Sequence, residues 1–395
     1  MADQYVVSEG LAEQVLTAKT AKVTQQALAQ KARRGKLLRL THGAYVDAAE
    51  FAAQDFSGQY RLRAAAYLLT HPDLRPWGIT TAALAGAPVL TSSKLHFAAD
   101  EPLYLKRTSD LVLHEGLGDA ARGCRPEAVT LYECAVSASL GETLLAAAHL
   151  LHELLLGERG ITRSASYELD GDITEALVRL PLDAETSQYT APAAVDLKGL
   201  EPGARGFIKS YTAMRQTRLA STAAELLWCE YANLCSAIGQ RRGFRQALLA
   251  GLYFSDQQDS PAETLLLARC VELGFKAPLL QVGIQHPGTG QLLGRVDGLW
   301  PTASLQRSLR YADTQHGQLL FSNAKNGGGS LVVEFDGRQK YGQNAEDYLA
   351  TLEAERLRQN SITNLGYRFV RLSWEDLVQP DALAATLSSA GVPRR

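Results

Sequence analysis

The chain has 395 residues, 46% of them hydrophobic and 21% charged, with a net charge of −2. That length supports two or three domains with well-formed cores. The near-neutral charge excludes attraction to nucleic acid by the overall field, so any such contact has to come from local basic patches. The longest apolar run, Thr143 to Leu156, is too short to span a membrane and carries His149, His152 and Glu153. The opening Met1-Ala2-Asp3-Gln4 lacks a basic stretch followed by an apolar one, so no signal peptide is expected. The five cysteines show no metal-ligand spacing and read as reduced, small hydrophobes of a cytoplasmic protein.

Taken in order, residues 8–21 predict a helix, with Ser8 as its cap and Leu11, Val15 and Leu16 at helical spacing. A second helix is expected over Val23 to Arg34. It has an apolar face of Val23, Ala27, Leu28 and Ala32, and a polar face of Gln25, Gln26, Gln30, Lys31, Arg33 and Arg34. Gly35 ends it. Lys36 to Leu40 and Ala44 to Val46, around Thr41-His42-Gly43, predict a hairpin. Helix, helix and hairpin is the order of a winged helix-turn-helix. In that arrangement the polar face of the second helix meets base edges, and Lys36, Arg39 and His42 on the wing meet phosphates. A solvated helix whose basic end complements the helix dipole is the plainer reading.

The run "KARRGKLLRLTHGAYV" resembles the winged-helix domain of AbiEi-type antitoxin proteins. That resemblance implies DNA binding, often as repression of the protein's own operon. It adds a toxin or another defence-system protein to DNA as an expected partner. "WGITTAALAGAPVL" (Trp77 to Leu90) is similar to the short helix and turn that follow the winged helix in that family.

Beyond it, residues 57–70 predict a helix, and Leu95–Phe97, Leu103–Leu105 and Leu111–His114 predict strands of a small sheet. Ala128 to Leu156 predicts one long core helix. On it, His149 and His152 are spaced either to share a metal or to edge the core. Residues 157–206 show little periodicity and read as a connection. Helices are then expected over Thr222–Ile238 and Phe244–Tyr253.

From Asp259 the pattern sharpens. Ser260, Pro261 and Glu263 form a helix start of the capping-box type. Strands are expected at Leu279–Ile284, Leu293–Leu299 and Leu331–Phe335, then a helix over 346–364 and a last strand at Tyr367–Leu372. Asp297, Glu334 and Asp336 are carboxylates within or at the end of buried strands, where an unpaired charge is costly. Such groups suit a divalent cation.

"SPAETLLL", "GRVDGLWP", "VVEFDGRQKY" and "EAERLRQNSITNLGYRFVRLSWEDL" are similar, in order, to motifs of the very-short-patch-repair-like branch of the PD-(D/E)XK superfamily. This resemblance implies phosphodiester hydrolysis with Mg2+ or Mn2+. It makes Asp297 the metal-bridging aspartate, Glu334 the acid of the (D/E)-x-K element and Glu263 the helix-borne acid. The capping box remains the alternative reading of Glu263. Asp336 stands where the superfamily expects lysine, a residue common in this branch. Lys340 or Gln339 then becomes the candidate for the missing polar group. Arg356 and Arg371 fall where phosphate contacts are expected, with pairing to Glu355 or Glu375 as the alternative. Residues 302–330, longer than the turn this branch has there, are either a hairpin extension or a flap over DNA.

The expected fold class is α/β, α+β overall. It comprises a winged helix-turn-helix over 1–50, a mixed middle region over 51–206, a helical connection over 207–258, and a restriction-endonuclease-like mixed sheet flanked by helices over 259–395. The expected function is a metal-dependent DNA endonuclease with a DNA-binding winged helix, in phage defence or DNA repair. The alternative is a non-catalytic DNA-binding regulator of a toxin–antitoxin system.

Overall fold

The computed structural model describes residues 7–99, 110–158, 207–208, 210–211, 214–217, 219, 221–239, 242–306, 309–311, 319–321, 328–335 and 345–395. Among the described residues the protein is a mixed α/β chain with three sheets. Among the described residues no helix is long and apolar enough to cross a membrane. Two compact units divide the chain. One is drawn from Met1–Leu150, Leu197–Arg215 and Leu227–Phe254, the other from Leu151–Asp196, Gln216–Leu226 and Ser255–Arg395.

The first unit opens with a helix at Glu9–Gln14, shorter than the expected 8–21. Thr17 and Thr20 explain the early end. Their backbone N–H groups and hydroxyls bond one another, giving the chain a turn in place of further helix. Leu16–Thr17 (β1) then joins Leu37–Thr41 (β2) and Ala44–Asp47 (β3) in an antiparallel sheet of order β1-β3-β2. The helix Gln25–Arg33 lies between β1 and β2 in sequence, and its cap Thr24 accepts from Ala27 N–H. Its buried Leu28 packs with Leu37 and Tyr45. The core of this region does not close within residues 1–50. Val15, Ala44 and Val46 pack on Leu62, Ala65 and Ala66 of the helix Phe56–Thr70.

Leu74–Pro76 (β4), Leu95–Ala99 (β5) and Leu111–His114 (β6) form the second sheet, with β4 antiparallel and β6 parallel to β5. The expected strand at Leu103–Leu105 lies outside the described residues. One long helix is expected from Ala128, but two are present, Pro126–Ser137 and Leu140–Glu158. Ala138 is extended between them, and Ser139 restarts the helix by accepting Glu142 N–H on its hydroxyl. The apolar run hides this break. The helices Thr222–Ile238 and Phe244–Gly251 are joined by buried donors. Trp228 Nε1 donates to Gly251 O at 2.7 Å and Tyr231 Oη to Ala247 O at 2.6 Å.

The second unit carries the larger sheet. Its strands are Leu279–Gln285 (β7), Leu292–Trp300 (β8), Leu309–Tyr311 (β9), Leu319–Phe321 (β10), Leu331–Phe335 (β11) and Arg368–Leu372 (β12). Their order is β12-β11-β8-β7-β10-β9. The central β7, β8 and β11 are antiparallel neighbours, and β12 runs parallel to β11. Thus β9 and β10, inside the long 302–330 interval, extend the sheet beyond β7. Val282, Ile284, Val296, Leu299 and Val332 cluster with Ile362 of the helix Ala345–Asn364 and with Tyr367. The helix Pro261–Glu272 precedes β7.

Candidate active site

Strand register builds the site. On β7 and β8, Leu280 faces Gly298 and Val282 faces Val296, so Gln281 falls opposite Asp297. On β8 and β11, Val333 faces Gly298, and the next step of that register carries Glu334 and Asp297. On β11 and β12, Glu334 faces Arg371. Directly opposite residues share a sheet face. Gln281, Asp297, Glu334 and Arg371 therefore occupy one row of positions across four adjacent strands.

Each member of the row is held. The ladder between β8 and β11 ends at Val333, and the Asp297 carboxylate takes over there, with Oδ2 accepting Phe335 N–H at 2.9 Å. Glu334 is buried, with Oε1 accepting from Arg358 Nη2 at 2.6 Å. Its Oε2 is buried without a hydrogen-bond partner, and Arg371 Nη2 stands 3.8 Å away. Arg358 also donates to Arg295 O at 3.1 Å. Gly294 makes that course possible, because a Cβ there would stand 2.7 Å from Arg358 Cδ. Arg371 bonds Gln359 at 2.9 Å and Glu355 at 3.2 Å.

Glu263 comes to this row from the helix Pro261–Glu272. Its N–H is bonded by the Ser260 hydroxyl at 3.4 Å, and the same hydroxyl donates to Oε1 at 2.8 Å. Oε2 accepts from Asp259 N at 3.2 Å and from Gln281 Nε2 at 2.8 Å. Glu263 thus serves its own helix start and also binds the sheet. Burial pushes its pKa up to about 8, and the charges of Asp259 and Asp297 add to that; the bonds from Gln281 and Ser260 pull the other way. The Asp259 carboxylate is paired with Arg295.

Of the expected site residues, Asp297 and Glu334 stand together on neighbouring strands, and Glu263 lies close enough to Asp297 to feel its charge. Asp336 and Lys340 lie outside the described residues, as does Gln339. Arg371 lies in the row, whereas Arg356 is exposed and makes no part of it. In the first unit Gln25, Gln26, Lys31, Arg33, Arg34, Lys36, Arg39 and His42 are all exposed. His42 links hairpin to helix, at 2.8 Å from Arg39 Nη2 and 3.3 Å from Gln25 Nε2. His149 and His152 bond separate backbone carbonyls, of Ala85 and Asp256.

One member, Gln281, is not among the residues expected from sequence. Gln281 has a visible signal, a polar residue between buried Leu280 and Val282, but its role depends on backbone conformation. Arg358 is expected beside the site from the resemblance, with Glu355, Arg356 and Arg371, and the glycine opposite marks it out from its neighbours on the helix.

A second polar cluster sits in the first unit. His96 Nδ1 and His114 Nε2 are 2.9 Å apart, His114 stacks on Trp77, and Arg75 covers Trp77 while pairing with buried Glu133 at 3.0 Å. Burial lowers the pKa of both histidines to about 4, so at neutral pH the stack is held by uncharged rings.

The donor set of the main site suits a hard divalent cation. Mg2+ is usually held by one or two carboxylates and keeps several waters. Asp297 and Glu334 supply two carboxylates, and Glu334 Oε2 is an unpartnered buried acceptor. Among the described residues no group of three or more His, Cys, Asp or Glu side chains is placed to hold a metal ion. No protein-family model, curated protein or solved structure significantly matches this chain.

Proposed function

We propose that the protein is a metal-dependent DNA endonuclease, with the first unit's exposed basic surface contacting DNA. The observation that carries this reading is the row Gln281–Asp297–Glu334–Arg371, approached by Glu263 on one side and Arg358 on the other. The restriction-endonuclease-like and winged-helix assignments belong to this proposal, and rest on element order and on the resemblances of sequence. Phage defence or DNA repair is the setting in which such an activity works.

Asp297 and Glu334 would hold the cation. When bound, Mg2+ or Mn2+ polarises a phosphoryl oxygen and lowers the pKa of the attacking water. The chain's own residues do the rest. Asp297, tied to Phe335 N–H, presents its carboxylate from a fixed strand end. Arg358 holds Glu334 in one orientation and supplies a positive charge beside it, in the role the superfamily gives to lysine. Arg371 and Arg295, each about a third exposed, are placed to exchange a carboxylate partner for a phosphate oxygen. The test is incubation of supercoiled plasmid and single-stranded DNA with the purified chain in Mg2+ or Mn2+, beside Asp297→Ala. Cleavage by the wild type alone is expected; equal cleavage by both, or none of any substrate, overturns the reading.

A second reading, a non-catalytic DNA-binding regulator with a toxin or defence protein as partner, draws on a separate observation. Lys31, Arg33, Arg34, Lys36 and Arg39 are exposed on one helix and the adjoining hairpin. This reading expects specific binding to the chain's own upstream region. The double change Arg33→Ala plus Arg34→Ala should reduce the slope of log affinity against log salt by about 2. An unchanged slope removes this surface as the DNA contact.

A further inference from the structure

Among the described residues only Lys22 and Gln281 are non-glycines with a left-handed backbone, at φ 50° and 52°. Lys22 is exposed in a turn; Gln281 is buried inside a strand. An L-residue in that conformation costs about 1–2 kcal/mol. Strain of this kind persists where the surroundings impose it, and it gathers at active sites.

The placement is specific. Regular pairs flank Gln281 on both sides, Leu280 with Gly298 and Val282 with Val296, so the distortion is confined to the residue opposite Asp297. Its amide leaves the sheet and donates to Glu263 Oε2 at 2.8 Å. That bond is not needed to satisfy Glu263. Oε1 already accepts from the Ser260 hydroxyl and Oε2 from Asp259 N–H. Nor does the strand need it, since glycine would adopt the same backbone without strain.

We propose that Gln281 is a positioning residue: its left-handed backbone aims the amide at Glu263 and fixes that side chain beside Asp297, whose carboxylate would hold the cation. This rests on the nuclease reading of the same site. Gln281 acts through Glu263, so replacing it should change cation affinity only while Glu263 is present.

The experiment is calorimetric titration of Mn2+ into the full chain, with melting curves for every variant. The proteins are the wild type, Gln281→Gly, Gln281→Asn, Glu263→Gln, the double variant Gln281→Gly plus Glu263→Gln, and Asp297→Ala. Gln281→Gly relieves the backbone and deletes the amide. Gln281→Asn tolerates the backbone but falls one methylene short. Both are expected to bind Mn2+ roughly tenfold more weakly without melting earlier, and the double variant to match Glu263→Gln alone. Wild-type affinity in Gln281→Gly and Gln281→Asn overturns the proposal, as does a loss that adds to that of Glu263→Gln. Asp297→Ala separates the two claims. If it binds Mn2+ as the wild type does, the nuclease site and this inference fall together. If it loses Mn2+ while the Gln281 variants keep it, this inference alone falls.

Discussion

Replacing Glu263 by glutamine tests the electrostatics of the site through stability. Glu263 is 3% exposed, and its pKa is pushed up to about 8 from an ordinary value of 4.5. A carboxyl raised in the folded state favours folding in its protonated form. Its contribution is complete below the unfolded value and is lost as pH rises through the folded one. At about 1.4 kcal/mol per pH unit, the loss between pH 4.5 and 7 is about 3 kcal/mol. Glutamine is neutral throughout and has no such loss. It brings its own cost of about 1 kcal/mol, because its NH2 group meets donors where the carboxylate met them. Glu263→Gln should therefore be the less stable protein at pH 5 and the more stable by about 2 kcal/mol at pH 7, without divalent cations. Urea denaturation followed by tryptophan fluorescence measures this, with Trp300 and Trp374 reporting on the second unit. Other titrating groups cancel in the difference between the two proteins. Parallel stability curves from pH 5 to pH 8 would refute the reasoning. Added Mg2+ should narrow the gap at pH 7, since a nearby cation favours the ionised carboxylate of the wild type.

Arg358→Met strands the buried Glu334, whose remaining cationic neighbour is 3.8 Å away. It should cost about 3 kcal/mol in urea denaturation, and a further Glu334→Gln should recover most of that; simple additivity of the two changes would show that they do not act as a pair. Gly294→Ala places a Cβ 2.7 Å from Arg358 Cδ and should displace the guanidinium from Glu334. Its destabilisation of about 1–3 kcal/mol should shrink in an Arg358→Met background, where the obstruction is gone.

Features decided by local chemistry were legible in the sequence. The helix Pro261–Glu272 announces itself through Ser260, Pro261 and Glu263, and the strands β7, β8 and β11 through their apolar runs. Asp297 and Glu334 stood out because a carboxylate in such a run demands a partner. What required coordinates was pairing across distance. Nothing in the sequence aligns residue 281 with 297 and 334, since register depends on which strands meet. Arg356 and Arg358 look alike on paper, yet one is exposed and the other bonds Glu334. The break at Ala138 was invisible because apolar residues continue through it and only Ser139 marks the restart.

The charges around the row weigh the two functional readings against each other. A fold retained only for binding DNA has no reason to leave its acids short of counter-charge. Here the guanidinium groups serve particular acids. Arg295 pairs with Asp259, Arg358 and Arg371 lie on Glu334, and Arg371 is shared with Glu355. Asp297 has no ion pair among the described residues, although it sits in the middle of the row and its charge disfavours ionisation of Glu263. Ion pairing among the described residues accounts for Glu334 and Asp259, but not for Asp297, whose Oδ2 is met by a backbone N–H alone. A divalent cation held by Asp297 and Glu334 would supply counter-charge at that point.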